Sequence, residues 1–359
     1  MQTAVTIGLI ANQAVIYGLV RSTVFGLMRS ERSSMKKRSL VCLYAVIAMV
    51  VTFAGSQACR AADSYNGPET TLVQGQNFAV AIRGSAGFLV GEARELVYDF
   101  NFGQRRKASE LIWDLKDLYM VGGVVSARIL NRVDVNLGIS TAINEGSGGM
   151  IDYDWFANTP GAPSPDEWTD RSFSDAQVTT AMRIDVNAAV RICTVKQVKL
   201  KGIVGFKQDN WKWTDSGQGY IYSADYFRDT VGSFGGRNVV QYEQTFTIPY
   251  LGIGANRKTG PFDIGTYFLF SNFVSAEDKD FHVARNLHFK ETFSGGSYVA
   301  LGLNAEYHIS QNLFVSAAID FQSIPEIAGD MELNGQTMSN NAGISHTSTM
   351  LSGSIGYSF

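Results

Sequence analysis

The sequence predicts an all-β protein, a ten-stranded antiparallel transmembrane β-barrel with long extracellular loops. Three observations carry that expectation. Long segments alternate residue by residue between apolar and polar or small side chains. Short polar links alternate strictly with long links rich in Gly, Ser and Asp. The N-terminal region carries an export signal.

That signal comes first in chain order. From Met35 the chain runs MKKRSLVCLYAVIAMVVTFAGSQACRAADS, with a basic start, an apolar stretch from Leu40 to Phe53, and small residues around Ala58, Ala61 and Ala62. This is the layout of a secretory signal peptide over 35–62, cleaved near Ala61 or Ala62. A membrane-anchor helix is the competing reading, but the apolar run is short for a span of about 20 residues. Residues 1–34 form an upstream segment with no evident role, as a mis-assigned start would leave, and 63–359 form the barrel domain. Cleavage would remove Cys42 and Cys59 and leave only Cys193, so no intramolecular disulfide is expected.

The strand pattern follows. In VDVNLGISTAI, Val133, Val135, Leu137, Ile139 and Ile143 are apolar while Asp134, Asn136 and Ser140 are not. VTTAMRIDVNAAVRI, YVALGLNAEYHI and LFVSAAIDF repeat the pattern. The chain ends LSGSIGYSF, with Leu351, Ile355, Tyr357 and Phe359 two or four apart, and a terminal aromatic suits an outer-membrane assembly signal. Soluble sandwiches alternate too, but with strands of about 5–6 residues, whereas an outer-membrane strand needs about 9–11. Tight turns near 130–132, 194–197, 257–260 and 310–312 separate long links at 99–106, 146–173, 215–237, 279–293 and 326–345. Periplasmic turns and extracellular loops alternate in this way, so all five long links should meet at one mouth. A net charge of -3 gives no basis for a polyanionic partner, and no nucleic acid is expected.

Two motifs at that mouth carry chemistry. In GGMIDYDW, Asp152 and Asp154 share one face of a strand. In EDKDFH the same spacing aligns Asp278, Asp280 and His282. Two close carboxylates raise the proton affinity of one of them, and an Asp beside a His orients the imidazole and stabilises its charged form. Together they could clamp and deprotonate a water. Of the four histidines, His308 lies by a periplasmic turn, while His288 and His346 lack an Asp two residues before them. A solvated acidic loop, or a calcium site built on hard oxygen ligands, is the competing reading.

GGMIDYDW at 148–155, WTDRS at 168–172, FRDTVGSF at 227–234, IPYLGIG at 248–254 and the DKDFH stretch ending at His282 form a specific combination. With it, the chain from about Gln76 to Phe359 resembles the omptin family of bacterial outer-membrane aspartate/histidine proteases. The resemblance implies a ten-stranded barrel in the bacterial outer membrane with its active site facing the exterior. It implies an endopeptidase that cleaves after Arg or Lys, at dibasic sites, in peptide or protein substrates. Carried over by position, His282 is the general base, Asp280 its orienting partner, and Asp152 and Asp154 the opposing carboxylate pair. Ser172 matches a family serine and is read as a supporting group, since the dyad already provides a base. Glu95, in GEARELVY, and Asp278 match the family's specificity acids, and two acids on a pocket floor select Arg with its bidentate fork, or Lys. Met150 matches an apolar residue on the primed side, and Asp170, within WTDRS, is grouped with the substrate-binding residues.

No metal or cofactor is called for, although the family implies lipopolysaccharide as an activator alongside outer-membrane lipid. Here Gln208, Asn210 and Thr245 stand where the family has outer-wall arginines, which leaves Lys207 or Lys212 as candidate lipid contacts. The family's WTDxSxHP becomes WTDRSFSD, with Ser174 in place of the histidine. The alternative function is a non-catalytic barrel acting as an adhesin or a binder of cationic peptides. A diffusion porin fits less well, because side chains fill the interior of small barrels.

One conflict yields a structural prediction. In DIGTYFLFSNFV the apolar positions Ile264, Phe268, Phe270 and Val274 are even-numbered, and unbroken alternation would send Asp278, Asp280 and His282 toward lipid with them. A charged group facing hydrocarbon costs roughly 2–4 kcal/mol at the midplane. A bulge near Ser275–Glu277, or an extension beyond the bilayer, is therefore expected.

Overall fold

The computed structural model describes residues 78–101 and 104–359. The upstream segment, the signal peptide, Cys42 and Cys59 lie outside the described residues. The strands are β1 (Phe78–Asn101), β2 (Gln104–Ile129), β3 (Val133–Ala142), β4 (Gly148–Asp154), β5 (Asp170–Val195), β6 (Val198–Tyr222), β7 (Thr230–Ser233), β8 (Val240–Thr259), β9 (Phe262–His282), β10 (Leu287–His308), β11 (Leu313–Leu333) and β12 (Gln336–Ser358). All pair antiparallel, and β1 bonds to both β2 and β12, which closes the sheet into a ring. Both β3 and β4 pair with β2 on one side and β5 on the other, so they are two halves of one barrel strand. Short β7 pairs with β6 alone among the described residues. With β3 and β4 merged and β7 set aside, the described residues form the expected ten-stranded ring.

The tight turns fall where the sequence places them. At Lys196–Gln197 both residues have positive φ (46° and 70°), the mirror-image hairpin turn whose twist matches that of its strands. Two outer excursions are built differently from the expectation, because most of the 279–293 and 326–345 links is strand, whereas 155–169 is the loop expected between β4 and β5. The 279–293 stretch contains only the 3₁₀ turn Val283–Arg285 and Asn286 between β9 and β10, and 326–345 turns over at Asn334–Gly335. Strands of 20–26 residues run well past the 9–11 or so that a bilayer requires, so the mouth is a tall wall of paired backbone.

The predicted bulge is present, a few residues earlier than expected. In β9 the buried positions are Gly265, Leu269 and Ser271; Asn272 and Phe273 are then both exposed, and the buried set resumes at Val274, Ala276, Asp278 and Asp280. The β8–β9 register slips between Thr247 and Leu251, and the β9–β10 register slips on either side of Gly296. One added residue thus turns the even positions from the lipid face to the interior. Adjacent exposed pairs mark the same reversal at Lys116–Asp117 in β2, Ser294–Gly295 in β10 and Pro325–Glu326 in β11.

Below this belt Leu137, Val204, Leu251, Ile264, Leu303, Leu351 and Ile355 face outward, each about half exposed, as a lipid-facing band requires. The lumen there is a polar cavity of about 650 Å³. Above the belt the arrangement inverts, with Trp113, Trp211, Trp213, Tyr242, Phe246, Leu111 and Met150 buried in one interior cluster. Between the two lies a charged layer. Asp209, fully buried, sits 3.2 Å from Lys207 Nζ and 3.6 Å from Arg183 Nε, and accepts from Gln322 at 3.0 Å.

One expectation is corrected here. Lys207 is buried inside the barrel and bonded to Asp209 and Gln322, so it offers no outer-wall lipid contact. Strand β6 alternates without interruption and carries Lys207 inward on the face of Trp211 and Trp213. Cys193 is disulfide-bonded in the full chain, while the expectation of a lone cysteine concerns the chain after loss of the leader.

Candidate active site

Strand β4 and the upper end of β9 stand on different parts of the ring, four positions apart, and both turn their site residues inward. On β4, Met150, Asp152 and Asp154 follow one another at i, i+2 and i+4 on the same face. Asp152 lies between Leu111 of β2 and Ser172 of β5, and Asp154 between Ser109 and Asp170. Ser109 Oγ donates to Asp152 Oδ1 at 3.2 Å. Ser172 is buried directly opposite Asp152. Asp170 accepts from the Ser223 backbone N–H at 3.0 Å, which ties β5 to the excursion after β6. Met150 is fully buried and packs in the aromatic cluster beneath the pair, so it forms floor rather than open wall.

On β9, His282 Nε2 and Asp280 Oδ2 are 2.6 Å apart. The ring's other nitrogen, Nδ1, meets the Arg285 guanidinium, which lies three residues on in the 3₁₀ turn. With the guanidinium donating to Nδ1, the proton of the neutral ring resides on Nε2 and points at Asp280. Arg285 also acts electrostatically on Asp152 and Asp154, so one cation reaches both halves of the site. The Asp280 charge acts on Asp152 and the His282 charge on Asp154. The two motifs, far apart in sequence, therefore share one space.

Burial separates the two carboxyls of the β4 pair. It raises Asp152 well above the usual range, with the neighbouring Asp154 charge adding to the effect. Asp154, also raised mainly by burial, comes to about 6. Deeper in, Glu95 of β1 is 2% exposed and Asp278 of β9 is 1% exposed, and neither is ion-paired with a cation among the described residues. Burial first, and then the Asp280 charge and Asp278 itself, hold the Glu95 carboxyl well above its normal value. Asp278 is pushed up to about 8, again chiefly by burial.

Several residues of this site carry no motif and were not anticipated. Tyr242 Oη donates to Asp278 Oδ2 at 2.9 Å and receives from Gln244 Nε2 at 2.8 Å. Gln244 and Glu291 flank Asp278 in the β8 and β10 ladders. The Tyr242 ring stacks on Trp113 at 5.4 Å and on Trp213 at 5.8 Å, which gives the acids a dry aromatic base. Among the described residues no group of three or more His, Cys, Asp or Glu is arranged to hold a metal ion.

Residues 76–359 match the Omptin family. The chain belongs to the omptin family. It is 31% identical to the plasminogen activator of Yersinia pestis over 86% of this chain and 91% of that one. It is 26% identical to the outer membrane protease OmpP of Escherichia coli K12, over 88% of this chain and 98% of the relative. The crystal structure of the outer membrane protease OmpT from Escherichia coli superposes with a TM-score of 0.72 at 25% identity, covering 78% of this chain and 97% of that one. This omptin is an outer-membrane endopeptidase, an all-β barrel protein of the bacterial outer membrane.

Proposed function

We propose that this omptin cleaves peptide bonds after Arg or Lys with a water activated between the His282–Asp280 dyad and the Asp152–Asp154 pair, at a mouth open to the cell exterior. The observation that carries the reading is the 2.6 Å dyad sharing a space with two carboxyls of unlike acidity, above buried acids that have no cation of their own. Asp280 holds the Nε2 proton, so Nδ1 is the basic nitrogen. Arg285 bonds to Nδ1. Its exposed guanidinium has to swing aside before water can take that place.

Near neutral pH the split in acidity assigns the pair two roles. Asp154, at about 6, is largely ionised and accepts a hydrogen bond from the water. Asp152, whose proton affinity burial raises well above the usual carboxylate range, is the proposed donor to the carbonyl oxygen, where negative charge develops. His282 takes the water's proton as the oxygen attacks the carbonyl carbon, then delivers it to the departing amine. Glu95 and Asp278 receive the basic side chain before the cut. The cation replaces the missing solvation, and both acids then ionise against it.

Peptide and protein chains with basic residues are the proposed partners, and the barrel wall meets outer-membrane lipid. On the outer wall Asn210 Nδ2 donates to Glu243 and Thr245 at 2.9 and 2.7 Å, and Lys212 pairs with Glu243 at 3.0 Å. A patch so internally satisfied, with an acid at its centre, is poorly suited to the phosphates of lipopolysaccharide, and we read the activity as independent of it.

A fluorogenic peptide with Arg–Arg at its centre, incubated with the refolded chain with and without lipopolysaccharide, tests this reading. Cleavage after Arg is expected in both conditions, and a His282→Ala variant should lose at least about 10³-fold in rate while keeping its fold. A wild type that binds the peptide and never cuts it would favour the adhesin or peptide-binder alternative.

A further inference from the structure

Glu291 belongs to no motif, yet it is the most completely buried acid of the mouth. It is 0% exposed, stands opposite Asp278 in the β9–β10 ladder, and faces the interior next to Met331 of β11. Among the described residues its only hydrogen-bonding partner is the Asp278 carboxyl, itself an acid, and no donor from any other residue reaches either oxygen. The Asp278 and Glu95 charges both act on it, so the three carboxyls bound one volume. Gln244, on the other side of Asp278, spends both donor contacts on Tyr242 and on the Arg94 carbonyl, and its Oε1 accepts nothing.

A buried acceptor without a donor is rare in native proteins and asks for a ligand. Leaving aside Asp280, which is paired with His282, and the contact between Asp278 and Glu291 themselves, the acceptors of this cluster that no donor reaches are Glu95 Oε2, Asp278 Oδ1, Glu291 Oε1, Glu291 Oε2 and Gln244 Oε1. The indole N–H groups of Trp113, Trp211 and Trp213 also lack partners, so none of them serves these oxygens. A guanidinium offers five N–H donors in a flat fork, and an ammonium only three. Acceptors spread over Glu95, Asp278, Glu291 and Gln244 suit the broad fork of an arginine side chain, and the compact ammonium of a lysine would reach fewer of them. A desolvated site discriminates most strongly when the wrong ligand leaves its polar groups unpaired.

We propose that Glu291 is a third acidic specificity residue, which with Glu95 and Asp278 encloses the guanidinium of the residue preceding the cut and makes the pocket select arginine over lysine. This rests on the proposal that the site cleaves after basic residues, and it adds a residue and a direction of preference.

The test compares kcat/KM for two peptides that differ only in Arg or Lys before the scissile bond, using wild type, Glu291→Gln and Glu291→Ser. Active-site titration corrects for the folded fraction. Wild type should prefer Arg by about tenfold or more, and in Glu291→Gln the loss for Arg should exceed the loss for Lys by about tenfold, mostly through KM. Agmatine should inhibit wild type better than cadaverine does, and that advantage should shrink in both variants, a readout that does not depend on the chemical step. An Arg/Lys ratio and an agmatine/cadaverine ratio unchanged in both variants would overturn the role of Glu291 and leave cleavage after basic residues standing. A wild type that cuts only after uncharged residues would remove the underlying reading, and this inference with it.

Discussion

The two halves of this barrel use the same strands for opposite purposes. Below the belt of register slips, Ile264, Leu303 and Leu351 face lipid while the lumen holds paired charges such as Asp134, bonded to Arg128 at 2.6 Å and Lys201 at 2.7 Å. Above it the aromatic side chains turn inward, and the acids among them have no cation. A lower-half carboxylate already has its partners and can do little to a ligand. The upper-half acids Glu95, Asp278 and Glu291 are desolvated and, among the described residues, have no cation, so their interaction with an incoming cation is strong. Chemistry is therefore confined to the half where the interior is dry.

The parity switch in β9 is the most sensitive point of that contrast. Deleting Asn272 should return Asp278, Asp280 and His282 to the outer face, with loss of cleavage by about 10³-fold or more and a large loss of folded protein. Activity assay together with far-UV circular dichroism checks it, and wild-type cleavage in the deletion would mean that the bulge does not set the facing. Next in size, Trp113→Ala removes the ring stacked on Tyr242 and should cost about 3–5 kcal/mol of stability, read from denaturant unfolding.

A graded effect separates the halves by pH. Buried Asp278 holds its proton up to about 8, whereas an unfolded chain releases it near 4. Between those values the native state binds the extra proton, so stability falls as pH rises, by up to about 1.4 kcal/mol per unit, and levels off above 8. Asp278→Asn should flatten that decline in thermal unfolding followed from pH 4 to 9, and an identical slope would contradict the assignment. The smallest change is expected from Asp134→Asn in the wet lumen, which should alter kcat/KM less than about twofold, since exposed or hydrated ion pairs contribute little.

Much of this was legible in the sequence, because period-two alternation and turn residues are local signals. The hairpins at Lys196–Gln197 and Leu130–Arg132, the two carboxylate motifs, and the need for a bulge in β9 all follow from spacing. The excursions misled, since LHFKETF and EIAGDMEL read as loop through their polar residues, although above the membrane a strand is expected to show a polar outer face. Lys207 misled for the converse reason. Its neighbours Trp211 and Trp213 share its parity, and recognising that they form an interior core would have placed it inside. Glu291, Gln244 and Tyr242 could not be found from spacing, because only cross-strand register brings them to Asp278. Arg285 carried a weak signal in its position three residues after His282.

The central claim is that the β4 pair and the β9 dyad act on one water as a unit, and a double-mutant cycle tests it most directly. With kcat/KM measured for wild type, Asp152→Asn, His282→Ala and the double variant on one Arg-containing peptide, the double variant should be no slower than His282→Ala within about threefold, as members of one catalytic unit behave. Losses that multiply across the two sites would show that they act independently and would contradict the shared water.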